Sequence, residues 1–158
     1  MNTQWLRFLL GFMFLFSVAE AGDKKGKNLN ITFHLETDQN NNPKMIFQQH
    51  VAGKLRYFQR TPEVSSKDIV SFSPFLADNE KDYGVVFKLR ASAASRLETM
   101  TTANQGKLLC SAVNGRVVDV VRIDKPVSDG YIVIWNGVTG EELKEYDKLA
   151  PRIGKEKK

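Results

Sequence analysis

The chain has 158 residues, a formal net charge of +5, 26% charged and 42% hydrophobic residues, and one cysteine. That length supports one domain with its own core, and a lone cysteine excludes an intrachain disulfide. Much of the positive excess lies in Lys24-Lys25-Gly26-Lys27 and Lys155-Glu156-Lys157-Lys158, while the central segment carries mixed charge, which argues against a nucleic-acid surface.

In chain order, Arg7 and the α-amino group precede the apolar run Phe8–Val18, which ends at Ala19-Glu20-Ala21. This is the layout of a secretory signal peptide over residues 1–21, cut after Ala21. The alternative, a retained anchor, suffers from a run shorter than the ~20 residues that span a bilayer. Gly22 rather than a cysteine follows the cut, so no lipid anchor is expected. An exported protein results, periplasmic in the first instance and extracellular in the second, with no integral span after cleavage.

Residues 22–29 read as a flexible leader, residues 30–154 as a single domain and residues 155–158 as a basic tail. Asn30–Glu36 alternates Ile31, Phe33 and Leu35 with Thr32, His34 and Glu36, the period of a half-buried strand. After the turn cluster Asp38–Pro43, the segments Lys44–Gln49 and Lys54–Gln59 read as paired strands across Val51-Ala52-Gly53. A loop to Ser66 leads into a short apolar strand, Ile69–Phe72, closed by Pro74.

From Asp82 the pattern sharpens. Val85, Phe87 and Leu89 mark a strand, Ser92 a helix N-cap, and Ala93, Leu97 and Met100 a helical stripe that stops near Gly106. Leu108–Val113 and Arg116–Ile123 flank Asn114-Gly115, a type I′ hairpin signal. After a loop through Pro126, Tyr131–Trp135 reads as a strand ended by Asn136-Gly137. Thr139-Gly140-Glu141-Glu142 has the form of a capping box opening a helix with Leu143, Tyr146 and Ala150 on one stripe. The sum is an α+β fold: a two-layer sandwich with a mainly antiparallel sheet and two helices on one face.

Several of these pieces occur together in a known order. They are Thr101-Thr102-Ala103-Asn104-Gln105-Gly106-Lys107, Asn114-Gly115-Arg116-Val117-Val118, Gly130–Gly137 and Thr139-Gly140-Glu141-Glu142-Leu143. The stretch from Tyr83 to about Leu149 thereby resembles the periplasmic head region of the SecD subunit family of protein-export membrane proteins. The resemblance implies a ferredoxin-like or SecD-head-like sandwich over about 82–150. It gives Thr101, Asn104, Gly106, Lys107, Asn114, Gly115, Gly130, Gly137, Thr139 and Glu142 as motif positions of structural importance. It also implies contact with emerging or unfolded polypeptide and no catalytic residues. Two departures stand out. The S-A-P after the hairpin strand is replaced by Asp119-Val120-Val121, and no further apolar run supplies the membrane helices that house the family's proton-coupled machinery.

Little chemistry competes with that reading. His34 and His50 are the only histidines and are expected on polar strand edges; with Cys110 on another strand they make no zinc set, so neither metal nor cofactor is expected. Cys110 reads as a buried inert thiol, the alternative being a reactive or intermolecular one. No nucleophile elbow and no H-E-x-x-H motif occurs, and Glu142 is accounted for by capping. The expected activity is therefore binding, not catalysis. Tyr57 and Phe58 are adjacent, so one of them faces outward, and Arg56, Arg60, Lys88 and Arg90 are candidates to rim a surface that takes an extended peptide. The expected partner is protein or peptide: unfolded polypeptide or a membrane protein complex. The alternative is an envelope module that binds a membrane partner or a cell-wall polymer through surface Lys and Arg.

Overall fold

The structure, a computed structural model, describes residues 29–155. The expected signal peptide, the leader up to residue 28 and the tail from residue 156 lie outside the described residues.

Nine strands and two helices alternate as the hydrophobic periods require: β1 (Ile31–Thr37), β2 (Ile46–Val51), β3 (Lys54–Gln59), β4 (Val64–Ser65), β5 (Ile69–Leu76), β6 (Tyr83–Leu89), α1 (Ala91–Ala103), β7 (Leu108–Val113), β8 (Arg116–Arg122), β9 (Tyr131–Val138) and α2 (Gly140–Leu149), counted among the described residues. The larger sheet runs β2-β3-β1-β7-β8, with β4 also on β1; the smaller runs β5-β6-β9. Every strand pair is antiparallel. The first half joins both sheets: β1 lies inside the large sheet against β7, and β5 pairs with β6.

The sheets meet along β8 and β9 without a backbone ladder. Asp119 Oδ2 accepts the Trp135 N–H at 2.8 Å, and Arg116 Nη2 donates to the Gly137 carbonyl at 3.0 Å. The inner faces of both sheets share one core with the helices. Phe33 of β1 meets Phe87 of β6 edge to face at 6.2 Å, and Tyr146 of α2 stacks on Phe87 at 5.8 Å. The stripes foreseen for the helices are the faces that pack: Ala93, Leu97, Met100 and Tyr146 are buried, and Leu143 packs at the core margin. Burying such side chains is worth about 1.5–3 kcal/mol for each large one.

A second, small core lies on the outer face of the large sheet. The β2–β3 hairpin folds over it, placing Phe58 against Leu108 and Cys110, with Phe47, Val51, Val117 and Val120 around them.

Some boundaries differ from the sequence reading, each for a physical reason. β5 continues through Pro74 to Leu76, because Pro74 lies on a sheet edge where no amide is required. β9 continues to Val138, because Asn136-Gly137 forms an irregularity opposite Tyr83-Gly84-Val85 and does not end the strand. α1 begins two residues earlier than a Ser92 cap predicts. Arg90 is its N-cap and lacks a side-chain capping bond, and its amide donates to the Asp68 carbonyl at 2.9 Å.

Candidate polypeptide-binding edge

The hairpin owes its form to a two-residue turn. Ala52 and Gly53 both have positive φ, 48° and 75°, so Val51 and Lys54 close a type I′ connection whose twist suits paired strands. The register runs unbroken from Ile46 opposite Gln59 to Val51 opposite Lys54. The Arg60 amide donates to the Met45 carbonyl at 2.8 Å, which fixes the phase of the ladder. In an antiparallel pair such exchanging residues alternate. The backbone groups of Phe47, Gln49 and Val51 therefore turn toward β3, and those of Ile46, Gln48 and His50 turn to the open side.

Among the described residues nothing pairs with that open side of β2. Its sequence, Ile46-Phe47-Gln48-Gln49-His50-Val51, also lacks proline, lysine, acid or bulge, the usual devices that keep a sheet edge from accepting another strand. The opposite end of the architecture is guarded. Beside β5 the Phe72 amide donates to the Pro151 carbonyl at 3.1 Å, Ile153 donates back to Phe72 at 2.9 Å, and Pro74 follows.

The candidate residues divide between two places. Tyr57 is half-buried on the outer face of the hairpin and separates two shallow hollows. One, of about 500 Å³, is lined by Pro43, Ile46, Phe47, Gln48 and Arg60; the other, of about 430 Å³, by Asp38, Leu55, Arg56 and Lys107. Arg56 is tied to Glu36 at 3.0 Å, and the other Glu36 oxygen accepts the Leu108 amide at 2.8 Å. Phe58 is 0% exposed and stacks on Phe47 at 5.7 Å, so it anchors the hairpin and offers no open surface. Lys88 and Arg90 belong to the other sheet: Lys88 lies opposite Ser71 and Tyr131, and Arg90 caps α1 near Asp68. Tyr57, Arg56 and Arg60 are thus brought together, and Lys88 and Arg90 are not.

His34 is no edge residue. It is 8% exposed beneath the hairpin, with Nδ1 at 2.8 Å from the Gln59 carbonyl, Nε2 at 2.8 Å from Thr32 Oγ1 and the ring edge-on to Phe47 at 5.1 Å. Cys110 is fully buried, and burial together with the nearby Asp119 charge pushes its thiol up to about 12, which makes it inert. Among the described residues no cluster of three or more His, Cys, Asp or Glu side chains suits a metal ion.

The motif positions hold the fold together. Thr101 ties α1 to the loop at Val127, and Asn104 Nδ2 donates to the Met100 carbonyl at 2.9 Å at the helix end. The Gly106 amide donates to the Ile123 carbonyl, and the Lys107 carbonyl accepts the Ile123 amide. Asn114 and Gly115 have φ of 52° and 80°, and Asn114 Oδ1 accepts the Asn30 amide at 3.0 Å. The Gly130 carbonyl accepts from Leu89 at 2.9 Å. Thr139 and Glu142 form the capping box, and Arg116 adds an ion pair to Glu142 at 2.8 Å. Partial burial works against the Glu142 carboxylate, but the Thr139 amide and Arg116 prevail and hold it below its ordinary range.

The open β2 edge was the feature missed by the sequence reading. Its signal was present as a six-residue β-forming run with neither charge nor proline.

The architecture defines a class: a small α+β head domain with one guarded and one open sheet edge. The family model "SecDF, P1 head subdomain" matches residues 44–149, and the chain belongs to that family. The match begins well upstream of Tyr83, at the open hairpin. The chain is 31% identical over 84 residues to the protein translocase subunit SecD of Thermobaculum terrenum, covering 53% of this chain and 16% of that protein. A solved SecDF structure, described as that of a membrane component that enhances protein export, superposes with TM-score 0.54 at 17% identity, over 79% of this chain and 61% of the other. SecDF in its super-membrane-facing form gives TM-score 0.53 at 17% identity, over 79% of this chain and 18% of the other. Those two likenesses concern the fold. No helix among the described residues is long and apolar enough to cross a membrane.

Proposed function

We propose that this is an exported, non-enzymatic head-domain protein, accessory to protein export, that holds extended polypeptide as an added strand on β2. Residues 1–21 serve as its signal and residues 30–154 as its one domain. The observation that carries the reading is the unguarded edge Ile46–Val51 with outward amides at Gln48 and His50. Such an edge supplies main-chain hydrogen bonds that do not depend on the partner's sequence, which suits a binder of unfolded chains. The hollow lined by Ile46, Phe47 and Gln48 beside Tyr57 gives a side chain of the added strand a place to rest.

The test is a titration with a labelled, permanently unfolded polypeptide against the chain and its Gln48→Pro variant. Proline at 48 removes an outward donor and no bond to β3. Saturable binding is expected, weakened about tenfold in the variant, the size of one lost hydrogen bond of about 1–1.5 kcal/mol. Absence of saturation at high micromolar concentration, or equal affinity for a Gln48→Pro protein with native circular dichroism, defeats the proposal. Capture of a cell-wall polymer without any peptide binding favours the envelope-module alternative.

A further inference from the structure

The outer face of the smaller sheet carries two aromatic rings beside the β5–β6 turn. Phe75 of β5 and Trp135 of β9 share that face with Val86, Tyr131 and Val133, and Ser73 and Lys88 stand on it further from the β5–β6 turn. Trp135 is 56% exposed. The Phe75 ring lies directly on the Gly84 backbone: a Cβ at position 84 would come within 2.1 Å of Phe75 Cζ. Only glycine at 84 lets the ring lie so low. Phe75 and Trp135 meet at 6.1 Å and 70°, forming the two walls of a corner. The Trp135 backbone is fixed in turn by Asp119 at 2.8 Å.

The β5–β6 turn closes the corner. The Ala77 amide donates to the Asp82 carbonyl, and Asn79 Oδ1 accepts the Lys81 amide at 2.9 Å and the Asp82 amide at 3.3 Å. Asn79 is thereby committed to holding the turn, which presents Asp78 to the corner. The hollow bounded by Phe75, Asp78, Asn79, Trp135 and Asn136 has a volume of about 260 Å³. That is smaller than the ~300–1,000 Å³ of small-molecule pockets and suited to one long side chain. The Asp78 carboxylate has no hydrogen-bond or ion-pair partner among the described residues. The turn also carries Glu80 and Asp82 against the single Lys81, so the rim is acidic.

Two aromatic faces beside an unpartnered carboxylate attract a cation on an aliphatic stem. The rings act through their quadrupoles, the carboxylate through its charge, and the stem through contact with the apolar walls. We propose that the hollow between Phe75, Trp135 and Asp78 receives the side chain of an arginine or lysine from a bound polypeptide. The protein already makes such a contact internally, with the Arg152 guanidinium 4.7 Å from the centre of the Phe72 ring. The hollow lies on the other sheet from β2, so it is a second and separate point of contact.

Trp135 reports on its own occupancy. In the full chain carrying Trp5→Phe, it is the only tryptophan. Titration with acetyl-Gly-Arg-Gly-amide is expected to change Trp135 emission saturably in the millimolar range. The matching citrulline peptide, neutral and of the same shape, should bind at least about fivefold more weakly, and added salt should weaken the arginine peptide alone. Asp78→Asn, at an exposed site, should bring the arginine peptide part of the way toward the citrulline level, the remaining gap being the share of the two rings. Gln48→Pro should leave both titrations as they are, which separates this pocket from the β2 edge. Equal responses to arginine and citrulline, no saturation, or an Asp78→Asn protein that binds like the parent overturns the proposal.

Discussion

Thr101 shows how much a single hydroxyl can carry. It is 1% exposed; its Oγ1 donates to the Leu97 carbonyl at 2.8 Å and accepts the Val127 amide at 2.9 Å. One proton and one lone pair thus join α1 to a loop that has no regular structure. Thr101→Val keeps the shape and strands the Val127 amide, so a loss of about 1–3 kcal/mol is expected. Urea denaturation measures it, and Thr101→Ser should recover most of the difference. An unchanged midpoint for the valine variant would refute the staple. The sequence marked Thr101 by its motif, and its β-branched side chain marked it as a weak helix former. The role was illegible because the partner lies far along the chain. Tyr146 is the opposite case. Its ring was foreseen in the core, yet its hydroxyl is buried without a hydrogen-bond partner among the described residues, and burial pushes the phenol above its ordinary value.

At the level of elements, the β2–β3 hairpin is latched by His34. Burial, only partly offset by the hydrogen bond to Gln59, holds the imidazole below the ordinary histidine value. The sign follows from which state binds the proton more readily. Unfolded His34 titrates near 6.5 and folded His34 lower, so the unfolded chain takes up more proton as pH falls. The stabilisation is complete above the unfolded value and is lost as pH drops through the folded one. The charged or titratable neighbours are Glu36 on β1, paired to Arg56 of β3, and Cys110 opposite on β7. The Cys110 thiol stays neutral across this range. Denaturant midpoints measured from pH 8 to pH 5, above the carboxylate range, should decline for the parent and decline less for His34→Gln. Parallel profiles would dismiss the latch. Elements set by local pattern were legible: β1, β6, the Asn114-Gly115 hairpin and the Thr139 capping box. The burial of His34 was not, because it depends on a hairpin folding over β1 from a later part of the chain. The run of β5 through Pro74 was hidden for the same reason, since only topology makes that position an edge.

At the scale of the molecule, the join between the sheets governs the architecture. Gly137 lies at that join with φ of 86°, and a Cβ there would stand 2.7 Å from the Val118 carbonyl oxygen. Gly137→Ala combines backbone strain with a collision against main chain, so a loss of about 1–3 kcal/mol is expected. Gly115→Ala meets open space at similar φ and should cost less. Thermal melting of the two variants compares them, and equal losses would show that close approach at the join is unimportant. The sequence foretold a single β layer beneath two helices. Its division was unreadable, because nothing local to Arg116–Arg122 or Tyr131–Val138 says that these strands abut without a ladder. The open β2 edge was hidden likewise, since being outermost is a property of the whole sheet order.

The absence of a ladder at that join has a mechanical meaning. A carboxylate on one amide and a guanidinium on one carbonyl stand at this join where rows of amides link every other neighbour, and the shared apolar core does the rest. Here a water-excluding interior takes over the work that paired strands do elsewhere.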